Sequence, residues 1–298
     1  MDRSRRDFLK VSALGMAASL LPRPLLARSA RAEFTPLRRN VGIFTERGGT
    51  IGWLVNDQGV LVVDSQFADT APIFLEGLKQ RSSRPIDVLI NSHHHGDHTG
   101  GNAVLRGTAR QIVAHTRSAE NQRNVARQSG AEATLPDVTF SDSWSVQIGD
   151  ETVRAKHYGP AHTGGDVAIF FEQANVVHLG DLINNRAYPN VDGPAGASVQ
   201  GWVRVLEAIV ADHAPDTLYI FGHGEPEHGM TGSRDDLNYQ RDYFTAVLEA
   251  AGRAIREGRS REETAAMESL AGFEHFGGAK ARLGLGLGVA YDELSSSR

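Results

Sequence analysis

Four side chains of the types that bind metal ions stand within six residues, at His93, His95, Asp97 and His98. They follow the apolar stretch 86–91 directly, and the end of a strand is where an open sheet presents ligands. Alternate residues of an extended or turning segment face one side, so His93 and His95 can share an ion while Asp97 and His98 reach a neighbouring position. Imidazole and carboxylate together suit Zn²⁺, and also Fe or Mn. The spacing therefore predicts a metal site.

Three further loops have the same form, a predicted strand followed by a ligand-type residue with glycine nearby, at His162, Asp181 and His223. Glycine lets the backbone turn tightly next to a ligand. A single His or Asp in a loop would be interpreted as a solvated surface residue. Four loops that carry seven ligand-type residues instead favour one shared metal cluster.

The segments that must position these residues alternate between apolar strands and helices. We predict strands at 51–55, 60–63, 86–91, 111–114, 138–146, 151–158, 167–171, 176–179 and 217–221, and helices at 70–81, 116–128, 198–212, 235–257 and 261–270. Strand pairs followed by a helix occur in both halves, which favours sheets with helices outside. The last stretch, with Gly284, Gly286 and Gly288, gives no prediction. We expect a single domain over 33–298 with a helical C-terminal segment from about 234.

The order of these residues, with Asp64 at the end of an early strand, resembles the metallo-β-lactamase superfamily over about residues 40–229. The resemblance implies an α/β fold, a four-layer αββα sandwich with the metal site at the edge between two sheets. It also implies a division of the ligands between two ions. His93, His95 and His162 would hold the first ion, Asp97, His98 and His223 the second, and Asp181 would bridge them. Asp64 would orient a ligand from outside the site.

The chemistry implied is hydrolysis at two Zn²⁺ ions, with Fe or Mn as alternatives. Ions ~3.5–4 Å apart lower the pKa of a shared water, and the resulting hydroxide attacks a polarised carbonyl or phosphoryl group. Asp97 would be the catalytic residue that orients the hydroxide and passes a proton. The predicted function is therefore a metal-dependent hydrolase of a small-molecule ester, lactone, lactam or thioester.

The absence of cysteine distinguishes branches of the resembled family. It excludes the β-lactamases that use a cysteine as a metal ligand. Asp181 stands at the position of that cysteine, and an aspartate there resembles the glyoxalase II, lactonase and phosphodiesterase branches. His162-Thr163 and an export signal are β-lactamase-like. The alternative is a sulfur-dioxygenase-like oxidoreductase with one iron, which the presence of Asp97, His98 and His223 disfavours. A non-catalytic binding protein that keeps the fold is disfavoured, because such a protein would usually have lost some metal ligands and this sequence retains all seven.

Four other residues lie near the ligands in sequence. Tyr188 follows Asp181 by seven residues and is a candidate oxyanion donor in the substrate pocket. His228, five residues past His223, is a second candidate pocket residue. We expect His94 to point away from the metals and His178 to be a strand residue or to support a ligand.

The first 32 residues have the features of a twin-arginine export signal: Arg5-Arg6, an apolar run at 11–21 and a small-residue site at Ala30–Ala32. The run is too short for a permanent membrane anchor. We therefore predict export through the twin-arginine translocon to the periplasm or outside the cell. The net charge is −5, and the signal carries seven Lys or Arg against two Asp. The mature chain is thus more acidic, which argues against nucleic acid as a partner.

Overall fold

Alternate side chains of the strand Val60–Val63 belong to two different cores. Leu61 and Val63 pack in one hydrophobic cluster, whereas Val60 and Val62 pack in another. A strand buried on both faces must lie inside a layered structure. The protein, described here by a computed structural model over residues 32–296, has this layered form.

The first sheet has seven strands in sequence order. They are β1 (Glu33–Pro36), β2 (Val41–Thr45), β3 (Ile51–Val55), β4 (Val60–Val63), β5 (Val88–Asn91), β6 (Ile112–His115) and β7 (Val138–Phe140). Strands β1 to β4 form an antiparallel meander, and β4 to β7 are parallel. The carboxyl ends of β4 and β5 therefore meet at the same edge.

The second sheet has six strands in the order β15-β13-β11-β10-β9-β8. They are β8 (Ser143–Ile148), β9 (Glu151–Lys156), β10 (Ala168–Phe171), β11 (Val176–His178), β13 (Leu218–Ile220) and β15 (Thr231–Gly232). A separate two-stranded pair is formed by β12 (Asn184–Asn185) and β14 (His223–Gly224). Strands β11 and β13 are parallel, so their carboxyl ends also share an edge.

Helices cover the outer face of each sheet. They are α1 (Ala71–Lys79), α2 (Gly96–Thr99), α3 (Asn102–Leu105), α4 (Thr116–Ser129), α5 (Val199–Asp212), α6 (Arg234–Arg256), α7 (Arg261–Ala265) and α8 (Ala281–Ser296). Phe74 of α1 packs on the first sheet, while Trp202 of α5 and Phe244 of α6 pack on the second. A third cluster, including Ile90 and Ile169, lies between the sheets. The predicted four-layer αββα fold is confirmed.

Two elements differ from the sequence prediction. The single strand predicted at 138–146 is two strands in different sheets, because β7 pairs with β6 whereas β8 pairs with β9. The chain crosses between the layers at Ser141-Asp142. The other difference is α8, which was not predicted because it contains three glycines. A Cβ on Gly284 would lie 2.5 Å from the carbonyl oxygen of Ala265, so glycine permits the close approach of α7 and α8.

Shorter differences occur at the ends of the domain. Strands β1 and β2 were not predicted, and α7 ends at Ala265 rather than at Leu270. The predicted export signal lies outside the described residues except for Ala32. Within residues 32–296, every helix is too short or too polar to cross a membrane.

Candidate metal centre

The predicted ligands lie in loops that follow strands of both sheets. Asp64 and the segment His93–His98 follow the parallel strands β4 and β5, while Asp181 and His223 follow β11 and β13. His162 lies in the loop between β9 and β10. Because parallel strands end at a common edge, these loops converge between the two sheets.

A first donor group consists of His93, His95, His162 and Asp181, whose ligand atoms all lie within 4.8 Å of one another. His162 Nε2 is 2.9 Å from His95 Nδ1 and 3.6 Å from Asp181 Oδ2. His93 Nε2 is buried and has no hydrogen-bond partner. An unpaired buried nitrogen is costly unless something binds it.

A second donor group consists of Asp97, His98 and His223. Asp97 Oδ2 lies 3.0 Å from His223 Nε2. Asp181 Oδ1 lies 2.9 Å from His98 Nε2 and 3.4 Å from His223 Nε2, so one oxygen of this carboxylate faces each group. The structure thus brings all seven predicted ligand residues together, in the two sets that the resemblance implies.

Hydrogen bonds outside the donor groups determine which imidazole nitrogens carry protons. His95 Nε2 is 2.8 Å from the carboxylate of Asp192, and His162 Nδ1 is 2.7 Å from the carbonyl oxygen of Asn190. Both oxygens only accept, so these nitrogens carry the hydrogens. His95 Nδ1 and His162 Nε2, the other nitrogens of these rings, face each other within the first donor group at 2.9 Å. Because His93 and Asp181 also offer ligand atoms within 4.8 Å, these two nitrogens are candidate metal ligands.

Asp64 supports ligands of both groups. Its Oδ1 accepts from the Ser92 backbone at 2.7 Å, and its Oδ2 accepts from the Ser92 hydroxyl at 2.6 Å and from His98 Nδ1 at 2.8 Å. Ser92 Oγ is in turn 3.1 Å from His93 Nδ1. Asp64 is fully buried and has φ +65°, an unfavourable region for a residue with a Cβ. Contacts of this kind orient metal-binding imidazoles.

Burial sets the protonation of the first donor group. It lowers the pKa of His93 well below the ordinary value, with His98 adding to the effect, and it lowers the pKa of His162 to about 3. Both rings are therefore neutral near pH 7, which is the form that binds metal.

The second donor group carries charge when no ion is bound. Burial acts to lower the pKa of His98, but Asp181 and Asp64 outweigh it and raise that pKa well above its ordinary value. Burial acts to raise the pKa of Asp181, but His223 and His98 hold it well below its usual range. An ion bound here would have to displace a proton.

The structure gives contacts for the two predicted pocket residues, Tyr188 and His228. The oxyanion role predicted for Tyr188 does not fit the structure, because its buried hydroxyl donates to the carbonyl oxygen of Phe273 at 3.1 Å. His228 is an exposed turn residue whose carbonyl oxygen accepts from Asn185, and its pocket role stays a prediction.

Two other histidines lie outside both donor groups. His94 Nε2 is 3.7 Å from the carboxylate of Asp192. His178, on β11, donates from Nε2 to the carbonyl oxygen of Thr50 and accepts from the backbone of Gly180, which holds the loop that carries Asp181.

Asp192 was missed by the sequence analysis. It lies 97 residues from His95 along the chain, and no spacing in the sequence points to it. Its backbone N–H donates to the carbonyl oxygen of His162 at 3.2 Å, so the segment Asn190–Asp192 contacts two histidines of the first donor group.

We expect the substitution Asp192→Ala to weaken metal binding at the first donor group about 10- to 100-fold, because His95 loses the acceptor that fixes its ring. Asp192→Asn should lose less metal affinity, since the asparagine amide oxygen can still accept a hydrogen bond from His95. Titration against a competing chelator measures both. Asp242→Ala, which removes an exposed carboxylate on α6, is the control. Equal affinity in Asp192→Ala and the control would contradict the role.

We also expect Gly49→Ala to disrupt the second donor group. An added Cβ would lie 2.1 Å from His98 Cε1 and 2.4 Å from His98 Nε2, and this ring cannot move without breaking its hydrogen bond to Asp64. The loss should exceed tenfold in metal affinity. Gly252→Ala is the matched control, because its Cβ would meet the Arg256 guanidinium at 3.5 Å, an ordinary contact. Similar metal binding by the two variants would show that His98 is not constrained as described.

The protein has a layered αββα fold, and loops of both sheets bring histidine and aspartate donors together at one edge. These features are those of a sandwich protein with a candidate metal site. The family model described as the metallo-beta-lactamase superfamily matches residues 44–223, more than half of the chain. The chain belongs to the metallo-beta-lactamase superfamily.

Individual relatives are distant. The chain is 24% identical over 202 residues to the metallo-beta-lactamase type 2 of Bacillus cereus, covering 65% of this chain and 77% of that protein. It is 28% identical over 199 residues to the hydroxyacylglutathione hydrolase of Methylococcus capsulatus, covering 66% of each. These likenesses support a superfamily hydrolase with candidate metal-binding groups.

Solved structures share the fold. The inverting sec-alkylsulfatase Pisa1 of a Pseudomonas species superposes with a TM-score of 0.70 at 18% identity, over 88% of this chain and 50% of that one. A metallo-beta-lactamase of Pontibacter korlensis gives a TM-score of 0.58 at 21% identity, over 72% of this chain and 99% of that one.

Proposed function

We propose that this protein is a hydrolase that holds two zinc ions, with iron or manganese as alternatives, and cleaves a small ester, lactone, lactam or thioester. The observation that carries the proposal is the convergence of His93, His95, His162 and Asp181 in one donor group and of Asp97, His98 and His223 in another. Imidazole nitrogen with carboxylate oxygen is a donor set that zinc accepts.

The donor groups divide the ligands between the two ions. His93, His95 and His162 would hold the first ion, Asp97, His98 and His223 the second, and Asp181 would contact both. Bound ions would supply Lewis acidity toward the substrate oxygen and lower the pKa of water.

Asp97 has the charge needed to orient the attacking water, and passage of the proton by Asp97 stays part of the proposal. Burial acts to raise its pKa, but the hydrogen bond from His223 and the charge of His98 outweigh burial and lower that pKa. Its carboxylate is therefore ionised near neutral pH, the form that can bind a metal ion and accept a hydrogen bond from water. The side chains of Asp97 and His223 are 28% and 29% exposed, whereas that of His98 is fully buried. We infer that substrate approaches from the side of Asp97 and His223.

The test is metal analysis together with a hydrolysis panel. The panel contains a lactam, a lactone, a carboxylic ester, a thioester, a phosphodiester and, because of the shared fold with the sulfatase, a secondary alkyl sulfate. We expect about two metal ions per chain and activity that a chelator removes and zinc restores. Less than one ion per chain with no metal-dependent hydrolysis would refute the proposal. One iron with oxygen uptake would support the sulfur-dioxygenase-like alternative instead.

We further propose export by the twin-arginine translocon and a periplasmic or secreted location, on the evidence of residues 1–32 alone. Replacing Arg5 and Arg6 together by lysine should retain the protein in the cytoplasm, because the translocon recognises the arginine pair. Cell fractionation measures this. Unchanged distribution between cytoplasm and periplasm would contradict this route.

A further inference from the structure

The backbone segment 190–192 holds two imidazoles of the first donor group. The carbonyl oxygen of Asn190 accepts from His162 Nδ1 at 2.7 Å, and the carboxylate of Asp192 accepts from His95 Nε2 at 2.8 Å. A displacement of this segment would therefore turn both rings together. Whatever fixes segment 190–192 consequently also fixes the direction of two candidate metal ligands.

One side of this segment faces the loop that carries His162. The backbone N–H of Asp192 donates to the carbonyl oxygen of His162 at 3.2 Å, and the N–H of Gly164 donates to the carbonyl oxygen of Ala195 at 2.9 Å. Both partners lie outside the strands and α-helices, and such connecting segments are more mobile than the elements they join. A helix on the other side can supply the rigidity that these loops lack.

Helix α8 packs against the other side of the segment. Val191 is 3% exposed and shares a hydrophobic cluster with side chains of α8. A Cβ added to Gly286 of α8 would lie 3.6 Å from Val191 Cγ2, and a Cβ added to Gly193 would lie 3.2 Å from Val289 Cγ2 of α8. The residues on both sides of Asp192 are therefore seated directly on this helix.

The chain before and after the segment is tied to the same C-terminal region. The backbone N–H of Tyr188 donates to the carbonyl oxygen of Gly277 at 3.0 Å, and the N–H of Gln200 donates to Glu293 Oε2 at 3.0 Å. Gly277 and Glu293 lie beyond residue 223, where the family match ends. The support for segment 190–192 thus comes from a part of the chain outside that match.

We propose that helix α8 positions His95 and His162 for metal binding by holding segment 190–192 in place, with Gly286 and Val289 as the positioning residues. The inference rests on the metal binding proposed for the first donor group. It gives α8 a role in the metal centre although the helix supplies no member of either donor group. A change in this packing should weaken the first ion more than the second, since the hydrogen bonds of the segment go to His95 and His162.

The first test moves bulk across the contact between Gly286 and Val191. Gly286→Val crowds Val191 and should weaken metal binding at the first donor group about 10- to 100-fold. The double variant Gly286→Val/Val191→Ala removes the two colliding methyl groups and should recover the affinity to within about threefold of wild type, because total volume is nearly conserved. Chelator competition in a His223→Ala background measures this, since that background removes a donor of the second group alone.

Gly252→Val is the matched control for this test. It makes the same substitution on α6, where an added Cβ would meet Leu294 of α8 at 3.8 Å. We expect it to keep the affinity of the first donor group. An equal loss of affinity in Gly252→Val and Gly286→Val, or a double variant that stays as weak as Gly286→Val, would overturn the proposal.

A milder variant covers the case in which Gly286→Val does not fold. Val289→Ala removes the methyl group that contacts Gly193 and opens space without crowding. It should weaken metal binding at the first donor group about three- to tenfold, a smaller effect than loss of a direct hydrogen-bond partner. A folded Val289→Ala with wild-type affinity would also overturn the proposal.

Nuclear magnetic resonance separates failure of the positioning from failure of the metal site. In the metal-free wild type, the Nδ1 proton of His162 should exchange slowly with water, because the ring is buried and hydrogen-bonded to Asn190. Gly286→Val should accelerate this exchange at least about tenfold, and Gly252→Val should not. Fast exchange in the wild type, or equal exchange in the two variants, would overturn the role of α8. The expected difference in a protein that binds no metal would uphold the positioning and refute the metal site alone.

Discussion

The substitution Asp181→Ala should reduce the metal content from about two ions to about one per chain and lower kcat by at least about 10³-fold. One oxygen of this carboxylate faces each donor group, with Oδ1 2.9 Å from His98 and Oδ2 3.6 Å from His162. Its loss removes a ligand from both ions, and a deficit of several kcal/mol in charge stabilisation corresponds to this rate effect. Elemental analysis and turnover of the best panel substrate measure the two effects.

Two further variants make the Asp181 result interpretable. Asp181→Asn keeps the shape but removes the charge, so its metal content should be intermediate. Asp242→Ala should behave as wild type. Retention of two ions and normal turnover in Asp181→Ala would exclude a bridging role. Circular dichroism checks that the variants are folded.

The substitution Asp64→Ala should lower the free energy of unfolding by about 3–5 kcal/mol, the usual cost of removing one partner from a buried charged pair. Asp64 accepts three hydrogen bonds, two from Ser92 and one from His98, and is fully buried. Metal affinity should also fall about 10- to 100-fold, because His98 and, through Ser92, His93 lose their support. Chemical denaturation and chelator competition provide the two measurements.

Part of the Asp64 effect comes from the backbone. At φ +65°, alanine keeps a strain of about 1–2 kcal/mol that glycine lacks. Asp64→Gly should therefore be less destabilising than Asp64→Ala, although both lose the carboxylate. A loss below 1 kcal/mol in Asp64→Ala, with unchanged metal affinity, would show that the buried carboxylate supports neither fold nor site.

The convergence of the seven donor residues could be predicted because each of them has a local signature. His162, Asp181 and His223 each follow a predicted strand and have a glycine within two residues, and four residues of 93–98 have ligand spacing. The layered fold followed from the resemblance and from the strand and helix pattern, and the family and fold class are confirmed.

What the sequence left open depends on contacts between distant residues. The spacing of residues in the sequence could not predict the role of Asp192, because its contact with His95 forms only when its loop folds against that residue. Helix α8 contradicts the low helix propensity of its glycines, and close packing of Gly284 on α7 overrides that propensity. Tyr188 has suitable chemistry and spacing, yet its hydroxyl donates a hydrogen bond to the carbonyl oxygen of Phe273.

The donor loops come from both sheets, so ions bound to them would also hold the two sheets together. His93 and His95 follow a strand of the first sheet, whereas Asp181 and His223 follow strands of the second. Bound ions would cross-link the two halves of the sandwich. Disulfides have this role in many exported proteins, but this chain has no cysteine and cannot form one. Because such ions would bind only the folded chain, metal loading would also stabilise the fold by mass action. Chelation should thus open the edge of the sandwich to proteases before its hydrophobic interior.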